Sequence, residues 1–277
     1  MGAVNGSGVA VGVALGMAAD AGGEKTRRIE GEGTSDAQWA ASASLNRVPA
    51  ASVNALVPPG GRAVIVAPHP DDEILGTGGL LRSLAAAGNA FLLVAVTDGG
   101  ASHPGSSAWP VERLTAARAQ ESRDALQRLG VGNLGAQADM QRLGFPDGGL
   151  RNQEDALTAA LADMLVPGDV VFATWELDGH PDHESVGRSA RRAAQQCGAA
   201  LIQVPIWAWH WALPEDPRMP WASARRLMLS QADLAAKQQA LQAFTSQITP
   251  DASTGRAPIL PEWALTRMLR PFEVYFL

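Results

Sequence analysis

Residues 64–73 read VIVAPHPDDE, a short apolar run that stops abruptly at one imidazole and three carboxylates. The run from Arg62 to Ala67 is apolar on both faces and rich in β-branched residues, which is typical of a strand buried between helices in a parallel sheet. Pro68 and Pro70 forbid regular strand pairing on either side of His69. The pattern therefore predicts a buried strand whose carboxyl end opens onto a reactive site.

A helix is expected directly after this strand. Apolar side chains recur at roughly helical spacing from Ile74 to Leu84. Gly76, Gly78 and Gly79 allow the start of this helix to approach the sheet closely. His69 and the carboxylates that follow it therefore lie at a strand-to-helix junction.

Strand and helix patterns alternate along the rest of the chain, which indicates an α/β fold. We predict a Rossmann-like three-layer fold with a mostly parallel sheet and a C-terminal appended region. Further strands are predicted at about 91–97, 140–145, 170–174, 201–206, 225–229 and 272–276. Helices are predicted at about 34–45, 111–129, 153–165, 181–197 and 231–244, with Ser35 or Asp36 capping the first.

Length and composition predict the domain organisation. A chain of 277 residues, 46% of them hydrophobic, can bury a full core as one large domain. We expect a flexible N-terminal arm over residues 1–24 and a single domain over 25–277, with a catalytic core at about 62–206 and a substrate-side appended region at about 207–277. The apolar part of the arm, Val9 to Ala19, is too short to span a bilayer, and the first Lys, Lys25, is too late for a secretory signal.

The net charge and the cysteine count indicate which partners and which cellular compartment to expect. A net charge of −6 and a pI of about 5.4 provide no basic surface for a polyanion, so no nucleic-acid partner is expected. Cys197 is the single cysteine, which excludes an internal disulfide and suits a reducing compartment. We therefore expect a cytoplasmic protein without a membrane span; the composition does not indicate its oligomeric state.

Three predicted strands end in ionisable residues, at 69–73, at Asp98 and at 176–183. The carboxyl ends of parallel strands share one edge of the sheet, so these residues are expected to meet. His69 and Asp72 are three positions apart, as are His180 and His183, so each pair can converge within about one helical turn. Two imidazoles and one carboxylate are a common set for a catalytic zinc that keeps a position open for water.

The two motifs also contain more ionisable groups than a metal needs. If His69, Asp72 and His183 hold the metal, Asp71 is free to act as a general base. His180 then remains to donate to developing negative charge.

The motif Pro68-His-Pro-Asp-Asp-Glu73, together with His180-Pro-Asp-His183, resembles the LmbE-like (PIG-L type) zinc-dependent N-acetylglucosaminyl deacetylase family. The resemblance covers about residues 62–248. Supporting segments in the family's order are Thr97-Asp98-Gly99, Arg118 with Glu121, Leu143 to Gly148, Lys237, and Ser246-Gln247. The resemblance implies zinc ligands at His69, Asp72 and His183, a general base at Asp71 and stabilisation of the tetrahedral intermediate by His180.

The implied reaction removes the acetyl group from an N-acetylated amino sugar or glycoconjugate. Zinc, or another divalent metal, lowers the pKa of its water toward about 7, so that Asp71 can take the proton. Hydroxide then attacks the amide carbonyl, and zinc and a protonated His180 hold the oxyanion. Asp71 returns the proton to the leaving amine.

Three other functions remain open. A noncatalytic carbohydrate-binding protein can retain the metal pocket, although it does not require Asp71 or His180. An amidase or other hydrolase can use the same groups on a non-sugar substrate. The third is a two-metal phosphoesterase, although such an enzyme normally needs more carboxylate ligands than the two motifs offer.

Further residues are candidates for substrate binding or for support of the metal ligands: Glu73, Asp98, His103, Arg118, Asp147, His210 and Gln247. Glu73 is expected to favour the helix dipole or to orient His69. Asp98 either bonds a metal-bound histidine or only forms an Asp-Gly turn.

The remaining candidates have structural alternatives of the same kind. His103 lies in a Gly/Ser loop that can line the site, and His210 lies between tryptophans that can stack on a sugar ring. Arg118 either binds a substrate hydroxyl or has a structural role, such as a surface pair with Glu121. Asp147 and Gln247 have the same two alternatives.

Overall fold

The computed structural model describes residues 27–131 and 138–277, so the predicted arm at 1–24 lies outside the described residues. The strands are β1 Ala50–Ala51, β2 Ala63–Ala67, β3 Phe91–Thr97, β4 Ala138–Phe145, β5 Val170–Thr174, β6 Ala200–Val204, β7 Ala224–Met228 and β8 Phe272–Phe276. The helices are α1 Asp36–Ala40, α2 Ala43–Arg47, α3 Val53–Leu56, α4 Asp72–Ala87, α5 Val111–Leu129, α6 Glu154–Ala162, α7 Pro181–Cys197, α8 Ala208–Trp211, α9 Gln231–Leu241, α10 Thr245–Ile248 and α11 Glu262–Met268.

One eight-stranded sheet runs through the molecule in the order β1-β7-β8-β6-β5-β2-β3-β4. The five strands from β6 to β4 are parallel, whereas β8 pairs antiparallel with both β6 and β7. The chain passes from β2 to β3 and β4 on one side, then returns to β5 and β6 on the other. The strand order therefore reverses between β2 and β5, and ligands of open α/β sheets bind at this position.

Helices cover both faces of the sheet. Ile65 of β2 packs in a core with α4, α5 and α9, whereas Val64 and Val66 pack in a second core with α6 and α7. This arrangement confirms the predicted α/β class with a mostly parallel sheet. The last two strands, which lie in the predicted appended region, extend the same sheet.

One predicted helix is divided in the structure. The helix expected at 34–45 is two short helices, because the Ser42 side chain accepts a hydrogen bond from the Leu45 amide and caps a second helix. Ser35 caps the first helix in a capping box with Gln38. The observed strands at 91–97, 170–174 and 272–276 have the predicted bounds.

No helix among residues 27–131 and 138–277 combines the length and apolar character needed to cross a bilayer.

Helix α4 lies against the sheet through its glycines, as predicted. A Cβ atom at Gly76 would be 2.6 Å from Val204 Cγ1, which is closer than real contacts allow. A buried ion pair holds the same turn of the helix. Lys237 Nζ donates to the Leu75 carbonyl at 2.8 Å and to Glu273 Oε1 at 2.7 Å.

Glu273 completes this connection from β8. Its carboxylate accepts hydrogen bonds from the amides of Gly79 and Leu80, at 2.8 and 2.9 Å, and from the Tyr275 hydroxyl at 2.7 Å. Each charge is therefore compensated within the core, and removing one partner leaves the other buried and unpaired.

We predict that Lys237→Met lowers the free energy of unfolding by about 3–5 kcal/mol, because Glu273 is left as an uncompensated buried charge. Urea unfolding measures the change. Arg123→Met is the matched control: Arg123 is exposed on α5, and within the described part of the chain its side chain bonds to Gln120 of the same helix alone. The control should cost less than about 1 kcal/mol, and an equal loss in both variants would contradict the prediction.

Candidate active site

Two loops meet where the strand order reverses. The loop after β2 carries His69 and Asp71 and leads into α4, and the loop after β5 carries His180 and leads into α7, whose third residue is His183. Asp72 is the first residue of α4, while His180 is the N-cap residue of α7. The topology of the parallel sheet thus brings the two motifs together.

Asp72 lies between two imidazoles. Its Oδ2 atom is 3.2 Å from His69 Nδ1 and 3.3 Å from His183 Nε2, and the two ring centres are 5.4 Å apart. Nitrogen atoms of His69, His180 and His183 also lie within 4.8 Å of one another. Asp72 and His183 are buried, and His69 is 8% exposed. Several ligand-type atoms therefore converge within reach of a single cation.

The outer nitrogen of His183 bonds to a buried carboxylate. His183 Nδ1 lies 2.8 Å from Asp178 Oδ2, and Asp178 also accepts hydrogen bonds from the amides of Ile206, Trp207 and Ala208. In a neutral His183 the proton therefore lies on Nδ1, and Nε2 presents its lone pair toward Asp72 Oδ2, 3.3 Å away. Despite this contact, Nε2 is buried and makes no hydrogen bond of normal geometry within the described residues, as expected of a metal-ligand atom.

The outer nitrogen of His69 faces two carboxylates in the same manner. His69 Nε2 is 3.2 Å from Asp147 Oδ1 and 3.3 Å from Asp182 Oδ2. Asp182 is fixed by the amides of Gly148 and Leu150. The proton of a neutral His69 therefore lies on Nε2, and Nδ1 presents its lone pair toward Asp72.

Sequence reasoning assigned no role to Asp178 or Asp182. A signal was available for Asp182, since it lies inside the second histidine motif. Metal-bound histidines commonly donate their other ring N–H to a carboxylate, so acidic residues next to the motif were candidates. Nothing comparable marks Asp178, whose amide partners follow the next strand along the chain.

The charges of the cluster are strongly coupled. Burial lowers the pKa of both imidazoles, but the carboxylates that face them have the larger effect. Asp147, Asp182 and Asp72 raise the pKa of His69 well above its usual range. Asp72 and Asp178 raise the pKa of His183 to about 9. The same attraction holds the pKa of the Asp72 carboxyl below its usual range despite burial. The cluster thus favours positive charge at its centre.

Asp71 has a rare backbone conformation, with φ of 146° and ψ of −30°. Such a conformation costs about 1–3 kcal/mol in a residue other than glycine and persists only where its surroundings impose it. Arg118 Nη2 donates to Asp71 Oδ2 at 2.9 Å and to the Pro70 carbonyl at 2.8 Å, and the Asp71 amide donates to Glu73 Oε2 at 2.9 Å. Burial raises the pKa of the Asp71 carboxyl to about 8, although Arg118 opposes the shift.

His180 lies beside both metal-ligand candidates, with ring centres 4.9 Å from His69 and 4.8 Å from His183. Its Nδ1 atom accepts a hydrogen bond from the Asp182 amide at 3.2 Å. Burial, followed by the charges of His183 and His69, lowers the pKa of His180 well below its usual range. An amide that donates to Nδ1 favours a neutral ring with its proton on Nε2.

Four other predicted residues lie close to the site. Arg118 contacts Asp71, and Asp147 contacts His69. Glu73 accepts hydrogen bonds from the Asp71 amide and the Ser122 hydroxyl and does not orient His69. His103 bonds to Ser102 Oγ at 2.9 Å on the loop between β3 and α5.

The other three predicted residues have different surroundings. Asp98 forms an ion pair with Arg142 and contacts no histidine of the described residues. His210 is only 3% exposed and bonds to the Glu30 carbonyl and Arg267, so it offers no platform for a sugar. Gln247 is fully buried; its Nε2 atom donates to Ser246 Oγ, and Oε1 has no partner among the described residues.

Comparisons with known proteins agree with this geometry. A 2'-N-acetylparomamine deacetylase from Streptomyces fradiae is 31% identical in an alignment of 162 residues that covers 51% of this chain and 55% of that protein. The 1D-myo-inositol 2-acetamido-2-deoxy-alpha-D-glucopyranoside deacetylase of Rhodococcus jostii is 28% identical in an alignment of 258 residues that covers 74% of this chain and 86% of that protein. The first match thus spans little more than half of the relative's length.

A solved structure shares the fold. The A40926 pseudoaglycone deacetylase Dbv21 has a TM-score of 0.57 at 20% identity, over 79% of this chain and 96% of that chain. Residues 64–194 match the PIG-L family, described as GlcNAc-PI de-N-acetylase, and include both histidine motifs. Residues 64–194 therefore form a PIG-L (LmbE-like) family domain.

Proposed function

We propose that this protein is a metal-dependent hydrolase that removes the acetyl group from an N-acetylated amino sugar or glycoconjugate. One observation carries the proposal: two imidazoles oriented by carboxylates converge on Asp72, directly beside the strained, Arg118-bound Asp71. Two relatives named as deacetylases of N-acetylated sugars support this substrate class.

The proposed metal ligands are His69 Nδ1, the Asp72 carboxylate and His183 Nε2. A set of two histidines and one carboxylate suits zinc with one position open, although the same donors accept other divalent metals. The buried Nε2 of His183, which makes no hydrogen bond among residues 27–131 and 138–277, supports this assignment. When bound, zinc would polarise the acetamide carbonyl and acidify a water molecule.

Asp71 is the proposed general base. Asp71 directly precedes the proposed ligand Asp72 in the chain. Arg118 Nη2 donates to the Asp71 Oδ2 atom at 2.9 Å and so fixes the carboxylate. In the reaction, Asp71 takes one proton from the attacking water and returns it to the nitrogen of the leaving amine. One water molecule is consumed, the amide C–N bond breaks, and acetate and a free amine are released.

His180 is the proposed donor to the oxyanion. Because its Nδ1 atom accepts the Asp182 amide, a neutral His180 offers Nε2–H to the negative charge that develops on the carbonyl oxygen. No charged imidazole is required for this role.

The lone cysteine, Cys197, suits a reducing compartment, so the cytoplasm is the proposed location.

An acetate-release screen tests the proposed function. Zinc-loaded protein is incubated with a panel of N-acetylated amino sugars and glycoconjugates, and with simple amides that contain no sugar. We expect acetate from at least one sugar conjugate and none from the His183→Ala variant. Release from the non-sugar amides alone would support the alternative amidase, and release from no compound would leave a noncatalytic binder.

We predict that Asp71→Asn lowers turnover by at least about 100-fold, because the amide cannot accept the proton. Metal content by mass spectrometry should stay near one per chain, since Asp71 is not a proposed ligand. Asp98→Asn is the matched control at a neighbouring strand end, where Asp98 forms an ion pair with Arg142 and with no other described residue. Wild-type turnover in Asp71→Asn, or loss of its metal, would contradict the role of Asp71.

We also predict that Asp178→Asn weakens metal affinity by about 10–100-fold, because the carboxylate that orients and polarises His183 is lost. Competition with a chromogenic chelator measures the affinity. Asp155→Asn serves as control, since Asp155 is 97% exposed and pairs with Arg192 at the surface. Equal affinity in both variants would show that Asp178 does not support the metal.

A further inference from the structure

A segment outside the family match packs against the loop that carries His180. Residues 27–34, here called the N-terminal strap, extend along α8 to the turn at Gly179. At one end, the Thr34 amide donates to the His210 carbonyl at 2.8 Å, and Thr34 Oγ1 donates to the Ala212 carbonyl at 2.6 Å. At the other end, Arg27 lies beside Gly179.

His210 and Arg267 hold the middle of the strap. His210 Nε2 lies 3.0 Å from the Glu30 carbonyl oxygen, and Arg267 donates to the Glu32 carbonyl and, at 3.1 Å, to His210 Nδ1. Because Arg267 can only donate, His210 Nδ1 accepts and Nε2 carries the proton. A Cβ atom at Gly33 would lie 2.3 Å from the His210 carbonyl oxygen, so the strap is in direct contact with α8.

The first residue of the strap is tied to the turn before His180. Arg27 Nε and Nη2 are 3.2 and 3.1 Å from Glu184 Oε1, and the same oxygen accepts the Gly179 amide at 3.1 Å. Gly179 has φ of 96° and is enclosed: a Cβ atom there would be 2.8 Å from the Trp211 ring and 3.3 Å from Arg27 Cβ. The turn is therefore fixed by Glu184 and packed on one side by Arg27.

We infer that Arg27 is a positioning residue for His180, an inference that rests on the proposed function. Arg27 fixes the Glu184 carboxylate, and that carboxylate fixes the amide of the residue directly before His180. The strap thereby sets the direction in which His180 Nε2 points. Orientation errors of about 1 Å can cost about 100-fold in rate, so partial loosening of this turn should have a measurable cost.

The test uses the full-length, zinc-loaded protein. In Arg27→Met, kcat should fall about tenfold while KM stays within about twofold, because the lost alignment matters in the transition state. Metal content should remain near one per chain. Arg27→Lys, which keeps a donor for Glu184, should recover most of the lost kcat. Arg28→Met is the control: its side chain is 53% exposed, and the nearest carboxylate of the described residues, that of Glu30, is 3.9 Å away.

A second readout does not depend on activity. In protein labelled with ¹⁵N-histidine, the ring cross-peaks of His180 should shift in Arg27→Met and stay in place in Arg28→Met. Wild-type kcat or unmoved His180 cross-peaks in Arg27→Met would overturn the inference, as would equal effects in Arg28→Met. If the wild-type protein releases no acetate from any substrate, the proposed function fails, and the cross-peaks alone decide whether Arg27 positions His180.

Discussion

The structure of the site depends on one buried carboxylate, that of Asp72, which faces an imidazole nitrogen on each side. The outer nitrogens of the two rings face three more carboxylates, those of Asp147, Asp178 and Asp182. Four carboxylates thus surround two imidazoles, and protonation of both rings offsets two of the four negative charges. A divalent cation beside Asp72 supplies the same two positive charges and lets both rings stay neutral, which couples metal binding to proton release.

The fold brings these charged residues together, and hydrogen bonds and an ion pair from neighbouring elements hold them in place. The reversal of strand order between β2 and β5 brings together two motifs that lie far apart in the chain. Amide groups of the loops after β4 and β6 fix Asp182 and Asp178, so the orienting carboxylates are themselves held. The buried Lys237–Glu273 pair ties the helix that begins at Asp72 to α9 and β8. Rigid support of this kind is what a site needs to keep its ligands aligned.

The central architecture could be predicted because each part has a local signal. The apolar runs at 91–97 and 170–174 are long enough to define their strands, and the junction at His69 is marked by two prolines. Contacts across the chain have no such signal. Asp178 holds amides beyond β6, Asp98 pairs with Arg142, and His210 binds the N-terminal strap. These partners are chosen by tertiary packing, which explains why the sequence neighbours of Asp98 and His210 left both a functional and a structural role open for each residue.

The central claim is that Asp72 shares one cation with the inward nitrogens of His69 and His183. Anomalous diffraction at the zinc edge, from crystals of metal-loaded protein, tests this claim most directly. We predict a single peak within about 2.0–2.2 Å of His69 Nδ1, an Asp72 oxygen and His183 Nε2. A peak bonded instead to the outer face of His69, with Asp147 and Asp182 as its ligands, would contradict the account.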